Sequence, residues 1–361
     1  MKINLNIFKN KTVIITGHTG FKGSWLTIWM TLLGAKVVGV SNKVLTKPSN
    51  YQANNLKNKI KNYFFNIEDQ KKLTNLLLKY KPDFIFHLAA QALVSESFLK
   101  SKITFKTNAI GTLNLLEALR NYNAKKKCSV VIITSDKSYR NLELNRGYKE
   151  NDILGGHDPY SASKACAELI IQSYFKSFLQ KNKFIKISVA RAGNVIGGGD
   201  WSKDRLIPDC IKSIVANKNI FLRFPNSTRP WQHVLEAIYG YMSLSILQLK
   251  KKELNGQAFN FGPNNKNSVT VLDLVKKIKL KWKRLNWKII NNKKSFYESK
   301  LLKLNSKKAK KYLGWKCYLN SNQTIDWVIN WYKYFYDNNK KNMYDFSIKQ
   351  IKEYDNIIKK K

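Results

Sequence analysis

The sequence predicts an α/β fold built on a doubly wound parallel sheet. Short runs of β-branched residues recur through the first 190 positions, with helical patterns between them. Because these runs are apolar throughout, with no polar alternation, we expect helices to cover both faces of each strand. Strands that alternate with helices in this way predict parallel strands joined by crossover helices.

The predicted strands of this sheet are residues 12–16, 36–40, 84–88, 130–134 and 187–190. The segment after the first strand has apolar residues on one helical face, at Leu26, Trp29, Met30 and Leu33. Gly34 follows and is placed to end that helix.

Beyond residue 190 the alternation stops. Glycine and proline turns interrupt the chain, and helical patterns return at residues 206–217, 232–249, 271–283 and 322–336. The last 25 residues are charged and amphipathic, which predicts a terminal helix. We therefore expect a smaller C-terminal lobe over the carboxyl edge of the sheet.

The composition is that of a globular but very basic protein. The 361 residues include 65 Lys or Arg and 23 Asp or Glu, which gives a formal net charge of +42. Such a charge is typical of nucleic-acid binding. However, only 8 of these cations are Arg, and the Lys are spread through helices and loops. We interpret the charge as solvated surface and predict no nucleic-acid partner.

The cysteines and the apolar segments indicate the compartment. The four Cys form no CxxC pair, so we expect reduced thiols and no metal site. No apolar run approaches the roughly 18 residues of a membrane span, and the N-terminus does not resemble a signal peptide. We expect a cytoplasmic protein without a membrane partner.

A glycine-rich turn follows the first strand and opens the first helix. It has the pattern G-x-x-G-x-x-G, and its residues are Gly17, His18, Thr19, Gly20, Phe21, Lys22 and Gly23. In this context the glycines allow a tight turn and close approach of a pyrophosphate, and the helix N-terminus supplies amide donors. The turn predicts a dinucleotide site, although glycine patterns alone are weak signals.

Other strand ends are candidates for the rest of the cofactor. The ribose-binding carboxylate typical of such sites is replaced by Ser41, which could bond a ribose hydroxyl, and the nearby Lys43 would tolerate a 2′-phosphate. NAD and NADP therefore both stay open at this point. The further candidates are Asn66, Ile67, Leu88, Ala89, Ala90 and Asn108. Ordinary strand termini explain most of these residues equally well.

A catalytic set is indicated by Tyr160 and Lys164, which share a helix face at i and i+4. The ammonium of Lys164 would favour the ionised phenol, so that Tyr160 could take a proton from a sugar hydroxyl. Ser135, Asp136 and Lys137 follow the strand at 130–134, where doubly wound folds assemble their sites. Asp136 and Lys137 could also be a surface charge pair.

Together these stretches resemble the extended short-chain dehydrogenase/reductases, in the NAD-dependent epimerase/dehydratase family, and are most similar to the CDP-glucose 4,6-dehydratases. The matching stretches are residues 17–26, 87–97, 134–139, 158–169, 190–201, 204–209, 229–236, 260–263 and 350–354. The resemblance implies a Rossmann domain at residues 1–190 with a returning segment at about 232–265. It also implies a substrate lobe at residues 191–231 and 266–361.

The resemblance implies internal redox through tightly bound NAD. Hydride leaves carbon 4 of CDP-glucose as Tyr160, helped by Ser135 and Lys164, deprotonates the 4-hydroxyl. Water is then lost across carbons 5 and 6 with Asp136 as the general acid, and hydride returns to carbon 6. Lys137 stands where related dTDP-glucose enzymes have a Glu base. Its predicted role is that of the base, with enolate stabilisation as the alternative.

The resemblance also implies a pocket for the sugar nucleotide. Its predicted residues are Gln91, Ser135, Arg191, Asn194, Arg205, Leu206, Ile207, Arg223, Arg229 and His233. Arg forks suit diphosphate oxygens, and four of the eight Arg fall between positions 191 and 229. Arg205 and Arg223 could instead be structural ion-pair partners. We expect Trp231 to pack in the core and not to stack on cytosine.

Two alternatives to this function remain. One is a 4-epimerase, a reductase or a dehydratase of another nucleotide sugar, and the other is a non-catalytic NAD- or nucleic-acid-binding protein. The resemblance also implies a homodimer, or a dimer of dimers, through the helix near Tyr160 and the one at about 108–121. Apolar residues on those helices fit this, but core packing explains them equally: Leu113, Leu115, Leu116, Leu119, Leu169 and Ile170. The implied setting is deoxysugar synthesis for surface polysaccharide such as the lipopolysaccharide O-antigen.

Overall fold

The computed structural model describes residues 3–123, 125–263, 269–290 and 301–360. Its strands, in chain order, are β1 (Thr12–Thr16), β2 (Lys36–Ser41), β3 (Lys61–Phe64), β4 (Phe84–His87), β5 (Cys128–Ile133), β6 (Ile185–Ala192), β7 (Val195–Ile196), β8 (Asn219–Leu222), β9 (Thr228–Arg229), β10 (Gln232–His233), β11 (Ala258–Phe261), β12 (Val269–Thr270) and β13 (Asn286–Ile289).

The helices are α1 (Phe21–Leu32), α2 (Asn50–Ala53), α3 (Gln70–Tyr80), α4 (Val94–Leu99), α5 (Ser101–Phe105), α6 (Gly111–Arg120), α7 (Pro159–Tyr174), α8 (Leu206–Val215), α9 (Val234–Leu247), α10 (Val271–Lys281), α11 (Lys307–Leu313), α12 (Ser321–Asp337) and α13 (Met343–Lys360). None of these described helices is both long enough and apolar enough to cross a membrane.

The main sheet has seven strands in the order β11-β6-β5-β4-β1-β2-β3, and every pair is parallel. The predicted doubly wound fold is therefore confirmed. The strand order reverses between β1 and β4, and in such sheets ligands bind at the carboxyl ends of the strands beside this point. All five predicted strands are present, and β3 and β11 complete the two edges of the sheet.

The two faces of the sheet bury different residues of the same strands. In β1, Val13 and Ile15 belong to a core cluster with α1, α9 and α12, whereas Ile14 packs with α3 and α6 on the opposite face. In β5, alternate residues divide between the same two clusters. Burying each such side chain stabilises the fold by about 1.5–3 kcal/mol. This two-sided burial is why the strands read as continuous apolar runs.

Helix α9 lies wholly inside the protein, with all 14 of its residues buried. It packs on β5, β6 and β11, and its sequence is apolar on every side, as a buried helix requires. The segment after β10 thus returns under the main sheet and leads to β11. The predicted division of the chain into two domains stays a prediction.

Beyond residue 192, three two-stranded sheets join β7 with β10, β9 with β12, and β8 with β13. The predicted helices at 206–217, 271–283 and 322–336 correspond to α8, α10 and α12, and the terminal helix to α13. Of these elements, β7, β8, β9 and the start of α8 supply residues to the cleft described next.

Candidate active site

The segments predicted to hold a dinucleotide meet at the carboxyl edge of the main sheet. The turn at residues 17–23 follows β1, Ser41 ends β2, residues 66–67 follow β3, and residues 88–90 follow β4. Because these four strands are adjacent and parallel, their carboxyl ends face one groove.

Gly17 makes the closest approach between two of these segments. Its φ is +76°, and a β-carbon there would lie 2.7 Å from the backbone nitrogen of Ala89 and 2.8 Å from the carbonyl carbon of Leu88. The N-cap of α1 is Gly20, which has no side chain to accept the first amides of the helix. Those amides and the positive helix end fit a pyrophosphate, so the turn can hold a dinucleotide.

Ser41 mainly shapes the glycine-rich turn. Its hydroxyl lies 3.1 Å from Nδ1 of His18 and accepts the Thr19 amide at 3.3 Å. His18 is fully buried, burial lowers its pKa, and its Nε2 lies 3.0 Å from Oδ1 of Asn62. The hydroxyl of Ser41 therefore already has two partners, in addition to any bond it makes to a ribose.

The other cofactor candidates have local partners of their own. Asn66 is exposed, and its Oδ1 accepts the amide of Glu68 at 3.1 Å. Ile67 is buried in the core beside α6. Asn108 is buried, and its Nδ2 donates to Gln91 O at 3.0 Å and to Ser163 Oγ at 2.9 Å. Asn108 thus ties the segment after β4 to α7.

A cleft of about 530 Å³ opens beside this edge. It is lined by residues from both halves of the chain, including the predicted Ser135, Asp136, Lys137, Tyr160, Asn194, Arg205, Leu206, Ile207, Arg223 and Arg229. Most of the predicted catalytic and substrate residues therefore share one cavity, although they are spread over 95 positions of the sequence.

The loop after β5 presents Asp136 to the cleft. Ser135 caps a short 3₁₀ turn at residues 136–138, and its hydroxyl donates to Oδ1 of Asp136 at 2.9 Å. Nδ2 of Asn194 lies 3.4 Å from Oδ2 of the same carboxylate. Asp136 is 3% exposed, so it is not the surface charge pair that the sequence left open.

Tyr160 and Lys164 lie on one face of α7, as predicted. Burial raises the pKa of Tyr160, and the Ser135 hydroxyl lowers it only in part. Burial lowers the pKa of Lys164 to about 8, and Lys22 adds to this lowering. Burial therefore raises the pKa of Tyr160 in the protein alone, and ionisation of the phenol by Lys164 stays a prediction.

Arg191 was predicted to bind the diphosphate, and that prediction is wrong. The side chain is 1% exposed and forms an ion pair with Glu168. Its Nη1 donates to the hydroxyl of Tyr139 at 2.6 Å and to the carbonyl oxygen of Glu150 at 3.0 Å. With its donors used inside the protein, Arg191 does not reach the cleft.

His233 and Gln91 also do not line the cleft. His233 is fully buried at the N-cap of α9, where Nδ1 accepts the amide of Leu235 at 3.3 Å, and burial lowers its pKa to about 3. The Gln91 amide donates to Leu93 O at 3.0 Å and to Thr104 Oγ1 at 2.9 Å. Both predicted substrate contacts are replaced by structural hydrogen bonds.

Three further side chains line the cleft, although the sequence did not indicate this. Asp200 lines the cleft and accepts a hydrogen bond from Nη1 of Arg205 at 2.9 Å. Arg205 therefore forms the structural ion pair that the sequence left open as the alternative to substrate binding. Lys22 reaches the cleft from the glycine-rich turn. Burial, and to a smaller extent the positive charge of Arg205, lowers the pKa of Lys22 to about 8. Trp231 packs against the core cluster, as expected, and also lines the cleft. Asp200 lies in the stretch 190–201, which carries part of the family resemblance, and this position was the sequence signal that could have identified it as a cleft residue.

No cluster of three or more His, Cys, Asp or Glu side chains suited to a metal ion occurs among the residues that the structure describes. The carboxylates that line the cleft are those of Asp136, Asp200, Asp204 and Asp209.

Comparison with known proteins places these features in a family. Residues 14–327 match the family model described as GDP-mannose 4,6-dehydratase. A CDP-glucose 4,6-dehydratase of Salmonella typhimurium is 39% identical over 336 residues, covering 92% of this chain and 93% of the relative.

Solved structures share the fold. An epimerase from Methanothermobacter thermautotrophicus superposes with a TM-score of 0.80 at 21% identity, over 94% of this chain and 96% of the other. A dTDP-glucose 4,6-dehydratase from Bacillus anthracis in complex with NAD has a TM-score of 0.75 at 21% identity, over 92% and 98%.

Proposed function

The chain belongs to the extended short-chain dehydrogenase/reductases, in the family that the GDP-mannose 4,6-dehydratase model describes, and from this premise we propose that it is an NAD-dependent hydro-lyase that converts CDP-D-glucose to CDP-4-dehydro-6-deoxy-D-glucose and water. The observation that carries the proposal is the buried Asp136 in one cleft with Tyr160 and Lys137. A 4-epimerase needs no acid for a departing 6-hydroxyl, so this carboxylate favours dehydration.

The cofactor would be held at the turn of residues 17–23, where the absence of a β-carbon at Gly17 and the uncapped start of α1 fit a pyrophosphate. When bound, NAD supplies the oxidant for carbon 4 and the reductant for carbon 6, and its positive ring favours the Tyr160 phenolate. Lys164 is placed on the helix face of Tyr160 to hold ribose hydroxyls.

The residues of the cleft divide the proton transfers between them. Tyr160, positioned beside the Ser135 hydroxyl, takes the proton of the 4-hydroxyl. The amine of Lys137 takes the proton from carbon 5, which the 4-keto group has made acidic, and gives a proton back to carbon 5 when hydride reaches carbon 6. Asp136 gives its proton to the 6-hydroxyl as the bond from carbon 6 to oxygen breaks, so that water leaves. Each such transfer contributes about 10²–10⁴-fold to the rate.

Arg205, Arg223 and Arg229 would hold the diphosphate, because all three line the same cleft and guanidinium forks suit phosphate oxygens. The net charge of +42 also attracts a doubly anionic substrate over longer distances. Asn194, Leu206 and Ile207 line the same cleft, and Nδ2 of Asn194 lies 3.4 Å from Oδ2 of Asp136, so the hexose would sit beside them.

We further propose a homodimer through α6 and α7. Leu115, Leu116 and Leu119 are buried in the core, so core packing explains them. Leu169 on α7 is 56% exposed and Ile103 on α5 is 53% exposed, which leaves an apolar face for a second copy. Light scattering of wild type and Leu169→Lys tests this: a dimer that becomes a monomer is expected, and a wild-type monomer contradicts it.

The setting would be cytoplasmic deoxysugar synthesis for a surface polysaccharide. All four cysteines are free thiols, which is typical of a reducing compartment. Other 4,6-dehydratase substrates remain the alternative, because the cleft by itself does not identify the base.

The test is turnover of CDP-, dTDP-, UDP- and GDP-glucose by the purified protein with NAD, followed by proton NMR. We expect a carbon-6 methyl signal with CDP-glucose and at least tenfold lower kcat/KM with the others. Tyr160→Phe is the inactive control. A methyl signal with another nucleotide would change the substrate, and conversion of UDP-glucose to UDP-galactose would indicate an epimerase.

A further inference from the structure

Glu168 lies on the same face of α7 as Tyr160 and Lys164, eight residues after Tyr160 and four after Lys164. It is 1% exposed and does not line the active cleft. A buried carboxylate is costly unless hydrogen bonds and an opposite charge compensate for it, so its partners indicate what the position is for.

Those partners are the two ends of the loop that carries Ser135, Asp136 and Lys137. Oε1 of Glu168 accepts the hydroxyl of Thr134 at 2.6 Å, at the start of the loop. The hydroxyl of Ser138, at the end of the loop, lies 2.9 Å from the same oxygen and 2.6 Å from the carbonyl oxygen of Ser135. One carboxylate thus holds both ends of the loop.

Arg191 completes the arrangement from β6. Its Nε lies 2.8 and 2.9 Å from the two carboxylate oxygens of Glu168, and its Nη2 forms an ion pair with Oε2. Its Nη1 donates to Tyr139, the residue after the loop, and its guanidinium lies over the Tyr139 ring at 4.6 Å. Glu168, Arg191, Thr134, Ser138 and Tyr139 are called the Glu168 network below.

We propose that Glu168 is a positioning residue for the dehydration: through the Glu168 network it fixes the loop at residues 134–138 against α7, so that Ser135 and Asp136 face Tyr160. This inference rests on the proposed function. Helix α7 carries Tyr160 and the loop carries Asp136, so the distance between these two groups depends on the joint between the elements. A misplacement of about 1 Å at a reacting group can cost about 10²-fold in rate.

The sharpest test removes the loop bonds and leaves the Glu168–Arg191 ion pair in place. Thr134→Val is isosteric and lacks the hydroxyl, and Ser138→Ala lacks the other hydroxyl. We expect the double variant to lose about 10- to 100-fold in kcat with CDP-glucose, while KM changes less than about threefold. Thr134→Ser, which keeps the hydroxyl, should restore most of the rate in the Ser138→Ala background.

Amide hydrogen exchange separates positioning from general stability. In the double variant, exchange in a peptide that covers residues 134–139 should rise about tenfold, while exchange in α7 stays unchanged. The matched control is Ser243→Ala, which removes another fully buried hydroxyl, bonded to Tyr239 O at 2.6 Å within α9. That variant should keep both the loop exchange and the rate of the wild type.

The outcomes distinguish this inference from the proposed function. Wild-type kcat and unchanged loop exchange in the double variant would overturn the positioning role, as would a uniform rise of exchange across α7. If the wild-type protein turns over no sugar nucleotide, the proposed function fails. Loop exchange then still decides whether Glu168 holds the loop.

Discussion

The carboxylate of Asp136 lies directly against Gly193, in the space that a β-carbon at position 193 would fill. Asp136 follows β5 and Gly193 follows β6, so two adjacent parallel strands bring them together at the carboxyl edge. No other residue type at position 193 would leave the carboxylate where it is. The pair therefore connects a glycine of the sequence with the proposed general acid.

Gly193→Ala should leave the fold intact and displace Asp136. The atoms that the new methyl group meets belong to a side chain, which can turn away, so we expect a native circular-dichroism spectrum. Loss of the general acid should lower kcat by about 10²-fold or more. Asp136→Asn should give a similar loss, and the double variant should be little worse than either single one. Additive losses would mean that Gly193 acts independently of Asp136.

Lys137→Met should stop proton removal at carbon 5. Lys137 lines the cleft beside Asp136, and in D₂O the wild-type product should carry deuterium at carbon 5. We expect the variant to lose this incorporation and at least about 10²-fold in kcat, since the base is gone. Mass spectrometry of the recovered sugar nucleotide is the measurement. Full incorporation by the variant would assign Lys137 to enolate stabilisation instead.

Gly17→Ala should weaken NAD binding at least about tenfold, because the methyl group would meet the backbone of residues 88–89 and push the turn away from β4. Gly34→Ala is a matched control: its φ is also +76°, but its β-carbon would meet only the Lys9 side chain, at 3.5 Å. Each substitution should cost about 1–3 kcal/mol of stability from backbone strain. Calorimetric titration with NAD should separate them, and equal affinities would contradict the close-approach argument.

The pKa of Lys164 predicts a pH-dependent stability. Burial lowers it from 10.5 to about 8, so between these values the unfolded chain binds the proton more than the native chain does. The contribution of Lys164 to stability therefore rises with pH across this window and is lost as pH falls through 8. Lys164→Met removes that dependence.

Urea unfolding of Lys164→Met and wild type at pH 7 and pH 10 is the measurement. The stability of the variant relative to wild type should be about 1–3 kcal/mol more favourable at pH 7 than at pH 10. Lys349→Met, at an exposed position of α13, should show no such difference between the two pH values. A pH-independent difference for Lys164→Met would mean that its amine is not desolvated in the native protein.

The strands of the sheet were predictable because their burial on both faces leaves a continuous apolar signature in the sequence. The exceptions are the two edge strands: β3 is only partly buried and lacks this signature, and the four residues of β11 pair with β6 about 70 positions from their partners. Such pairing depends on how α9 crosses beneath the sheet, and local sequence does not contain that information. The helices of the second half were predicted from their own periodicity.

The predictions for individual site residues were less uniform for a physical reason. A cation in a matched stretch can contact substrate or a buried anion, and the choice depends on the neighbour that folding supplies. For Arg191 that neighbour is Glu168, which continues the i, i+4 series of Tyr160 and Lys164 and could have been found from this spacing. For His233 the deciding factor is its place at the N-cap of a buried helix.

Internal redox dehydration oxidises and reduces one hexose ring within one cleft, and the same hydrogen leaves carbon 4 and arrives at carbon 6. Turnover of CDP-[4-²H]glucose in ordinary water, followed by NMR of the product, tests this directly. We expect one deuterium in the carbon-6 methyl group and a solvent proton at carbon 5. Deuterium lost to solvent, or kept at carbon 4 of an epimerised hexose, would contradict internal redox dehydration.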